Sequence, residues 1–409
     1  MKFLLSSIGS RGDVQPLIAL ASELRALGHT PVLCVAPNFQ PWIESFGIDV
    51  VPIGPDLEAW SRAAASRPVG SPPSPEQRQQ IARQSVAEQF RVMLQAAQGC
   101  DAILVGGMLQ IAGRSIAEAL GVSYVCAAYC PATLPSPDHP PATMGARHPQ
   151  LLAAEENLQR WLADAQSFDA TFGAALNEQR AALGLASVAH VARHITTARP
   201  WLAADPVLAP AGTPIDMAIW QSGAWLLADP TPLPEALERF LAAGEPPIYF
   251  GFGSMRADAD TSQLLVGAAR ALGRRTILLR GWGNLDAVDN GDDVIAIGDV
   301  SHERLLRRVA LAVHHGGAGT TTAVARAGRP QMIVPHLYDQ YYWAHRVEML
   351  GVGVEGPVMT ELTVDKLANS LRACLVSDVV GRAEDLAGRM EQHGVRFAAE
   401  RLISVVEKV

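Results

Sequence analysis

The chain has 409 residues, of which 49% are hydrophobic and 18% charged, and its net charge is −8. That composition excludes a peptide-sized or disordered protein, and the length suggests two domains. The acidic balance repels polyanions and argues against nucleic acid, and no apolar stretch is long enough to span a bilayer, so a soluble cytoplasmic protein without integral membrane association is expected.

The chain opens with Phe3-Leu4-Leu5, a small-residue turn at Ser7-Ile8-Gly9-Ser10, and a segment whose Leu17, Leu20, Leu24 and Leu27 recur at helical spacing before Gly28. A second apolar run over 31–36 follows. The opening apolar run is broken by Arg11 and Asp13, which argues against a secretory signal. Asp13 is expected to cap the helix that starts behind it. Irregular stretches at 67–75 and 131–149 are rich in Pro, Ser and His; loops of that length on a rigid scaffold often form binding walls. His139 and His148 in the second are expected to face solvent. The segment 151–185 reads as helical with a mixed surface. A Pro-rich tract over 205–234 divides the chain near its middle, because Pro continues neither a ladder nor a helix.

Beyond that tract the opening design recurs. Ile248-Tyr249-Phe250 leads into Gly251-Phe252-Gly253-Ser254, an apolar-periodic segment with Leu264, Leu265, Ala268 and Leu272, and then Gly273 and a run over 276–279. Phe3 to Gly28 and Ile248 to Gly273 are both separations of 25 residues. A chain built twice from strand, turn, helix and strand predicts two α/β doubly wound domains with parallel sheets, and ligands at the strand C-termini between them. The five cysteines, Cys34, Cys100, Cys126, Cys130 and Cys374, lack metal or redox spacing and read as core residues.

The strand 294–298 ends at Asp299-Val300-Ser301-His302, and His302 reads as a surface helix start. The strand 309–313 runs into His314-His315-Gly316-Gly317-Ala318-Gly319-Thr320-Thr321-Thr322, which opens a helix. Such a turn presents unpaired N–H groups and a positive helix end, a geometry that binds phosphate. A threonine-capped tight turn is the plain alternative. The strand 331–335 then delivers Asp339 and Gln340, an acid and an amide able to hydrogen-bond neighbouring sugar hydroxyls. A dehydrogenase reading competes, because Asp339 lies 20 residues after Gly319, near the spacing of a ribose-binding acid; against it, Thr322 stands where a third Gly would.

The string HHGGAGTTTAVARAGRPQMIVPHLYDQ resembles the donor-binding signature of nucleotide-sugar-dependent glycosyltransferases of the two-domain GT-B fold. The opening SSIGSRGDVQPLIALASELRALGH is similar to the branch that holds sterol glucosyltransferases and glycopeptide-antibiotic glycosyltransferases. The resemblance implies two Rossmann-like domains facing across a cleft: an acceptor domain at 1–210, a linker at 211–235, a donor domain at 236–392, and a C-terminal helix at 393–409 packing back on the first. It implies His315, Gly317, Ala318, Gly319, Thr320 and Ser254 around the donor diphosphate, Asp339 and Gln340 at the sugar, and the backbone near Val300 at the base. Ser10, Arg11 and Gly12 would approach the donor from the other domain. Many relatives carry a catalytic His in the first Gly-rich loop. Here no His precedes His29, which is expected far from the cleft, and Asp13 is the candidate general base of an inverting transfer.

The donor would be UDP- or TDP-linked, and no cofactor or metal is implied. Asp258-Ala259-Asp260 has the spacing of a metal motif but reads as a helix start. The acceptor would be hydrophobic or phenolic, with Trp60, Met108, Tyr129, Met144 and Trp161 as candidate lining residues. A non-catalytic relative should have lost the base or the Asp-Gln pair, and Asp13, Asp339 and Gln340 are all present.

Overall fold

The computed structural model describes residues 1–59, 74–142, 153–253, 260–281, 285–289, 291–357 and 361–407. The first half forms a sheet of β1 (Lys2–Ser7), β2 (Thr30–Val35), β3 (Asp49–Pro52), β4 (Ala102–Gly106), β5 (Ser123–Ala128), β6 (Trp201–Leu202) and β7 (Trp220–Gln221), in the order β3-β2-β1-β4-β5-β6-β7. The second half supplies β8 (Ile248–Gly251), β9 (Thr276–Leu279), β10 (Val294–Ile297), β11 (Leu311–His314), β12 (Gln331–Ile333) and β13 (Gly353–Glu355), ordered β10-β9-β8-β11-β12-β13. All paired strands run parallel. Renumbered within its own half, each sheet follows the doubly wound order 3-2-1-4-5-6, and the first adds a seventh strand beyond it.

Alternation along each strand feeds two cores, one on either face. Phe3 and Leu5 of β1 pack with Leu17, Leu20 and Leu24 of the helix Arg11–Ala26, whereas Leu4 faces Val86, Phe90 and Met93 of the helix Pro75–Ala96. In the second sheet, Ile248 and Phe250 pack with Leu265 and Leu371, and Tyr249 faces Leu237 and Val324. Gly28 and Gly273, the matched helix ends, both take left-handed φ, +83° and +66°. All five cysteines are buried and free.

A third cluster joins the halves: Ala128, Leu134, Leu202 and Leu208 pack with Ala325, Tyr342, Trp343 and Leu386. The helix Gly394–Glu407 returns to the first sheet, burying Ala398, Ala399 and Leu402 beside Leu17, with Arg396 on Glu23 at 2.9 Å. Part of the expected linker at 211–235 is sheet. Trp220 stacks edge-on against Trp201 at 4.7 Å and extends the first sheet as β7, so the crossing begins after Gln221. The prolines bound two-residue strands instead of abolishing them. No described helix is long and apolar enough to cross a membrane.

Asp205 is fully buried and accepts from the backbone N–H of Val207 (2.9 Å), Leu208 (3.0 Å) and Glu391 (2.7 Å). It therefore ties the end of the first half to the segment before the last helix. Asp205→Ala leaves those donors without acceptors and is expected to cost about 3 kcal/mol, read as a lower urea midpoint. An unchanged midpoint contradicts the assignment.

Candidate active site

Both sheets turn their carboxyl edges to one cavity of about 2100 Å³. From the first half, Ile8 to Asp13 follow β1, Gly107 to Leu109 follow β4, and Tyr129 and Cys130 follow β5. Across the cavity, Gly253 follows β8, Asp299 and Val300 follow β10, His315 and Gly317 to Thr320 follow β11, and Leu337 to Gln340 follow β12. The turns after β1 and β4, and after β8 and β11, flank the points where strand order reverses. Doubly wound sheets bind ligands there.

Asp13 does not cap its helix as expected; it is the third residue of it. Ser10 is the cap, its hydroxyl accepting from backbone N–H groups of the first turn, and Asp13 Oδ2 accepts from Ser10 N at 2.7 Å and Ser10 Oγ at 3.2 Å. This reciprocal box fixes the carboxylate at the cavity edge. A methyl at Gly9 would run into Asp13 Oδ2, so only glycine leaves room for that oxygen. Desolvation raises Asp13 to about 6 despite the Ser10 hydrogen bonds. Beside it, the Tyr129 hydroxyl is buried without a hydrogen-bond partner among the described residues.

In the turn after β11 the two histidines differ. His314 is buried; its Nδ1 accepts from Gly316 N at 3.0 Å, so its Nε2–H donates to Gln331 Oε1 at 2.9 Å. His315 faces the cavity, with Nδ1 buried and without a partner among the described residues, and burial pulls its pKa down to about 3, leaving a neutral ring. A Cβ at Gly317 would stand 2.6 Å from its Nε2, and one at Gly253 3.0 Å from its Cε1, so two glycines make space for the imidazole. The helix Ala318–Arg326 begins at Gly317 with no side-chain cap. Thr321 and Thr322 are not caps: their hydroxyls donate back to Gly317 O and Ala318 O at 2.9 and 2.8 Å. The first N–H groups of this helix thus reach the cavity uncapped by any side chain of the described residues.

After β12, Tyr338 takes a left-handed φ of +58° that swings Asp339 to the head of the helix Gln340–Met349. Asp339 Oδ2 accepts from Trp343 Nε1 at 3.0 Å, and desolvation, with the Asp13 charge adding to it, raises its pKa to about 7. Gln340 Oε1 accepts from the backbone N–H of His336 (2.7 Å) and Leu337 (3.1 Å). The amide therefore shapes the loop that presents Asp339.

Arg11 lies over Trp42 at 4.5 Å and pairs with Asp299, so it spans the cavity mouth from one half to the other. Gly12 is exposed beside it, and Val300 packs at the edge of the apolar cluster around Leu305. Ser254, Trp60, Met144, His148 and Asp258 lie outside the described residues. Asp260 stands before the helix Thr261–Arg270 but makes no side-chain cap bond. His139 does not face solvent: it is buried between Trp161 and Tyr342, at 6.0 and 5.5 Å. Nor is His302 a surface residue; Tyr249 Oη sits 3.1 Å from its Nε2 and the ring lines the cavity. His29 meets Phe3 edge-on at 5.7 Å and the amino terminus, at the opposite end of β1. Met108, Tyr129 and Trp161 line the cavity, and among the described residues no group of three or more His, Cys, Asp or Glu is placed to hold a metal. Sequence reasoning missed Trp42, Tyr338 and Asp164, because none carries a periodic or motif signal.

Residues 3–136 match the glycosyltransferase family 28 N-terminal domain, and residues 284–392 match the C-terminal domain of the erythromycin biosynthesis protein CIII-like family. Over 412 aligned residues the chain is 41% identical to a vancomycin aglycone glucosyltransferase of Amycolatopsis orientalis, covering 100% of this chain and 98% of that one. The chain belongs to the GT-B glycosyltransferases that include the glycopeptide enzymes. A dTDP-epi-vancosaminyltransferase of the same organism is 40% identical, covering 94% and 92% of the two chains. Among solved structures, the glycotransferase of kitacinnamycin aligns with a TM-score of 0.73 at 17% identity over 99% of this chain and 98% of that one. The glycosyltransferase VinC, solved with dTDP, aligns at 0.70 and 20% over the whole of both. These two structures share the fold. Family membership sets aside the dehydrogenase reading: the glycosyltransferase is an enzyme that uses a nucleotide-sugar donor.

Asp13 and Asp339 repel one another across the cavity, so removing the Asp13 charge should make Asp339 easier to ionise. In Asp13→Asn the Asp339 carboxyl is expected to titrate below about 7, followed by ¹³C NMR of labelled aspartate. An unmoved titration rules out the coupling. Asp339 binds its proton more tightly folded than unfolded, so its contribution to stability falls as pH rises from about 4 to about 7.

Proposed function

We propose that this glycosyltransferase transfers a sugar, with inversion, from a UDP- or TDP-linked donor to a hydroxyl of a lipophilic or phenolic natural product, with Asp13 as general base. The observation that carries this reading is a half-buried carboxylate raised to about 6 that is fixed at the cavity edge by Ser10. An ordinary aspartate near 3.9 is a poor base for a hydroxyl, whereas one near 6 takes up a proton more readily and is still largely ionised at pH 7. The acceptor oxygen would attack the anomeric carbon from the face opposite the diphosphate and pass its proton to Asp13, whose Oδ2 is held by Ser10. The names of the relatives, which specify a vancomycin aglycone and an epi-vancosaminyl group, support a glycopeptide-like acceptor and a hexose or deoxyhexose donor.

The departing diphosphate gathers charge, and the uncapped N–H groups at Gly317, Ala318, Gly319 and Thr320 are fixed dipoles suited to it. His315 is neutral and donates one ring N–H in the same place. Asp339 would receive sugar hydroxyls on the oxygen that Trp343 does not hold, and Gln340 holds the Asp339 loop as well as flanking the sugar. Val300 backbone is assigned to the base and Ser254 to the diphosphate. Ser10, Arg11 and Gly12 close the donor from the acceptor half, Arg11 exchanging Asp299 for the donor. The first half thus serves the acceptor and 236–392 the donor.

Asp13→Asn is expected to lower kcat by 10²–10⁴-fold while UDP or TDP affinity, measured by calorimetry, stays within about twofold. Full activity in that variant refutes the base assignment. The base works deprotonated, so kcat/KM of the unmodified enzyme should rise with pH through about 6 and level off above it. A limb near 4 would mean that the cavity does not raise Asp13. Gly9→Ala, which drives Asp13 from its seat without removing it, should lose roughly 10²-fold in kcat with the donor still bound.

A further inference from the structure

The acceptor side of the cavity is walled by the helix Ala154–Ala182. Leu158 and Leu162 of this helix are 42% and 61% exposed, and Leu109 opposite them is 48% exposed, so large apolar side chains stand uncovered in the wall. Asp164, half-buried on the same helix, lines the same space. Arg160, one turn earlier and the natural i,i+4 partner, is turned to Glu156 at 3.1 Å.

Other carboxylates of the wall are engaged. Asp169 accepts from Val191 N at 2.7 Å and meets His190 at 3.2 Å; Asp216 stands 3.7 Å from Arg193; Asp229 accepts from Thr231 N at 3.0 Å. Asp13 is held by Ser10, Asp299 by Arg11, Glu303 by Arg307, Asp339 by Trp343, and Glu58 has a partner of its own. Among the described residues lining the cavity, Asp164 is the one carboxylate with neither a hydrogen bond nor an ion pair. It lines the same cavity as Tyr338 and Asp339. Burial alone raises its pKa, with no cation opposing the shift.

We infer that Asp164 is a cation-binding subsite for the acceptor, and that the acceptor carries an ammonium group beside an apolar face. The inference rests on the glycosyl-transfer reading of this cavity and adds the charge of the acceptor to it. A partly desolvated carboxylate with no protein partner is best matched by a ligand cation: a neutral hydroxyl or amide donates a hydrogen bond but leaves the charge uncompensated. The exposed leucines supply the apolar contact, and Asp164 fixes which end of the molecule lies deep.

The test uses three 4-hydroxybiphenyls that differ only at the 4′ position, carrying aminomethyl, hydroxymethyl or carboxyl, titrated into the UDP-saturated enzyme and into Asp164→Asn. The aminomethyl compound is expected to bind the unmodified enzyme about fivefold more tightly than the hydroxymethyl one, and the carboxyl compound most weakly. In Asp164→Asn the ammonium preference should vanish while hydroxymethyl affinity and UDP affinity are unchanged. Equal binding of the three, binding of none by an enzyme that still holds UDP, or a preference that survives in Asp164→Asn overturns the subsite and leaves glycosyl transfer standing. Failure to bind UDP or TDP strikes the transfer reading instead. The same substitution is tested against UDP-glucosamine and UDP-glucose. A loss confined to the amino sugar places the ammonium on the donor and overturns the assignment to the acceptor.

Discussion

Two parallel sheets make one reaction site only if their carboxyl edges are held face to face, and the apolar cluster shared by both halves does this. Leu202, Leu208 and Leu134 from one side interlock with Trp343, Tyr342 and Leu386 from the other. Trp343 is buried completely in that cluster, yet its indole N–H emerges to hold Asp339 at 3.0 Å. The residue that joins the domains therefore also aims the carboxylate assigned to the sugar. Buried indole needs an acceptor and a buried carboxylate needs a donor, so each satisfies the other. The returning helix Gly394–Glu407 and the Asp205 tie clamp the same junction from behind.

The two halves solve the same positional problem with different chemistry. Both place a glycine-bearing turn after the first strand and a second turn beyond the reversal point, but the first half fills the helix start with a side chain and the second leaves it open. Ser10 and Asp13 cap the start of the helix Arg11–Ala26, whereas no side chain of the described residues caps Ala318–Arg326. An anion is drawn to unspent N–H groups and repelled from a carboxylate-capped end. Under the proposed function this difference in capping is what suits the second half to the donor diphosphate, in a chain of net charge −8.

Much of this was legible in the sequence. The repeated 25-residue spacing gave two doubly wound halves, and the Gly-rich turn after β11 and the Asp339 loop fell where the strands deliver them, because strand length and turn glycines are local properties. What was not legible depends on contacts distant along the chain. His139 looked like a loop residue because Pro and His surround it, but Trp161 and Tyr342 enclose it from far along the chain. His302 does start the helix His302–Leu306, but its place off the surface is not legible, because Tyr249, which meets its ring, lies 53 residues earlier. Asp13 reads as a cap by composition, and only the geometry makes Ser10 the cap and Asp13 its third-position partner. The strand inside 211–235 is not legible for a related reason: two residues such as Trp220–Gln221 have no periodicity, and the Trp201 ring against Trp220 is invisible in sequence.

The raised carboxylates connect these points to the anionic donor. A cavity holding fully ionised Asp13 and Asp339 would repel a diphosphate as well as each other. With Asp13 near 6 and Asp339 near 7, the pair does not carry two full charges at neutral pH, and the nearby His315 adds no compensating charge because burial keeps it neutral. The proton on Asp339 also changes its hydrogen-bonding capacity, since a carboxylic acid can donate to a sugar oxygen as well as accept from a hydroxyl. Asp13 has the lower value of the two and is the more ionised at neutral pH, as the base role proposed for it requires. Desolvation thus separates the two acids in their readiness to ionise, which is the separation that the proposed division into a base and a sugar-binding acid requires.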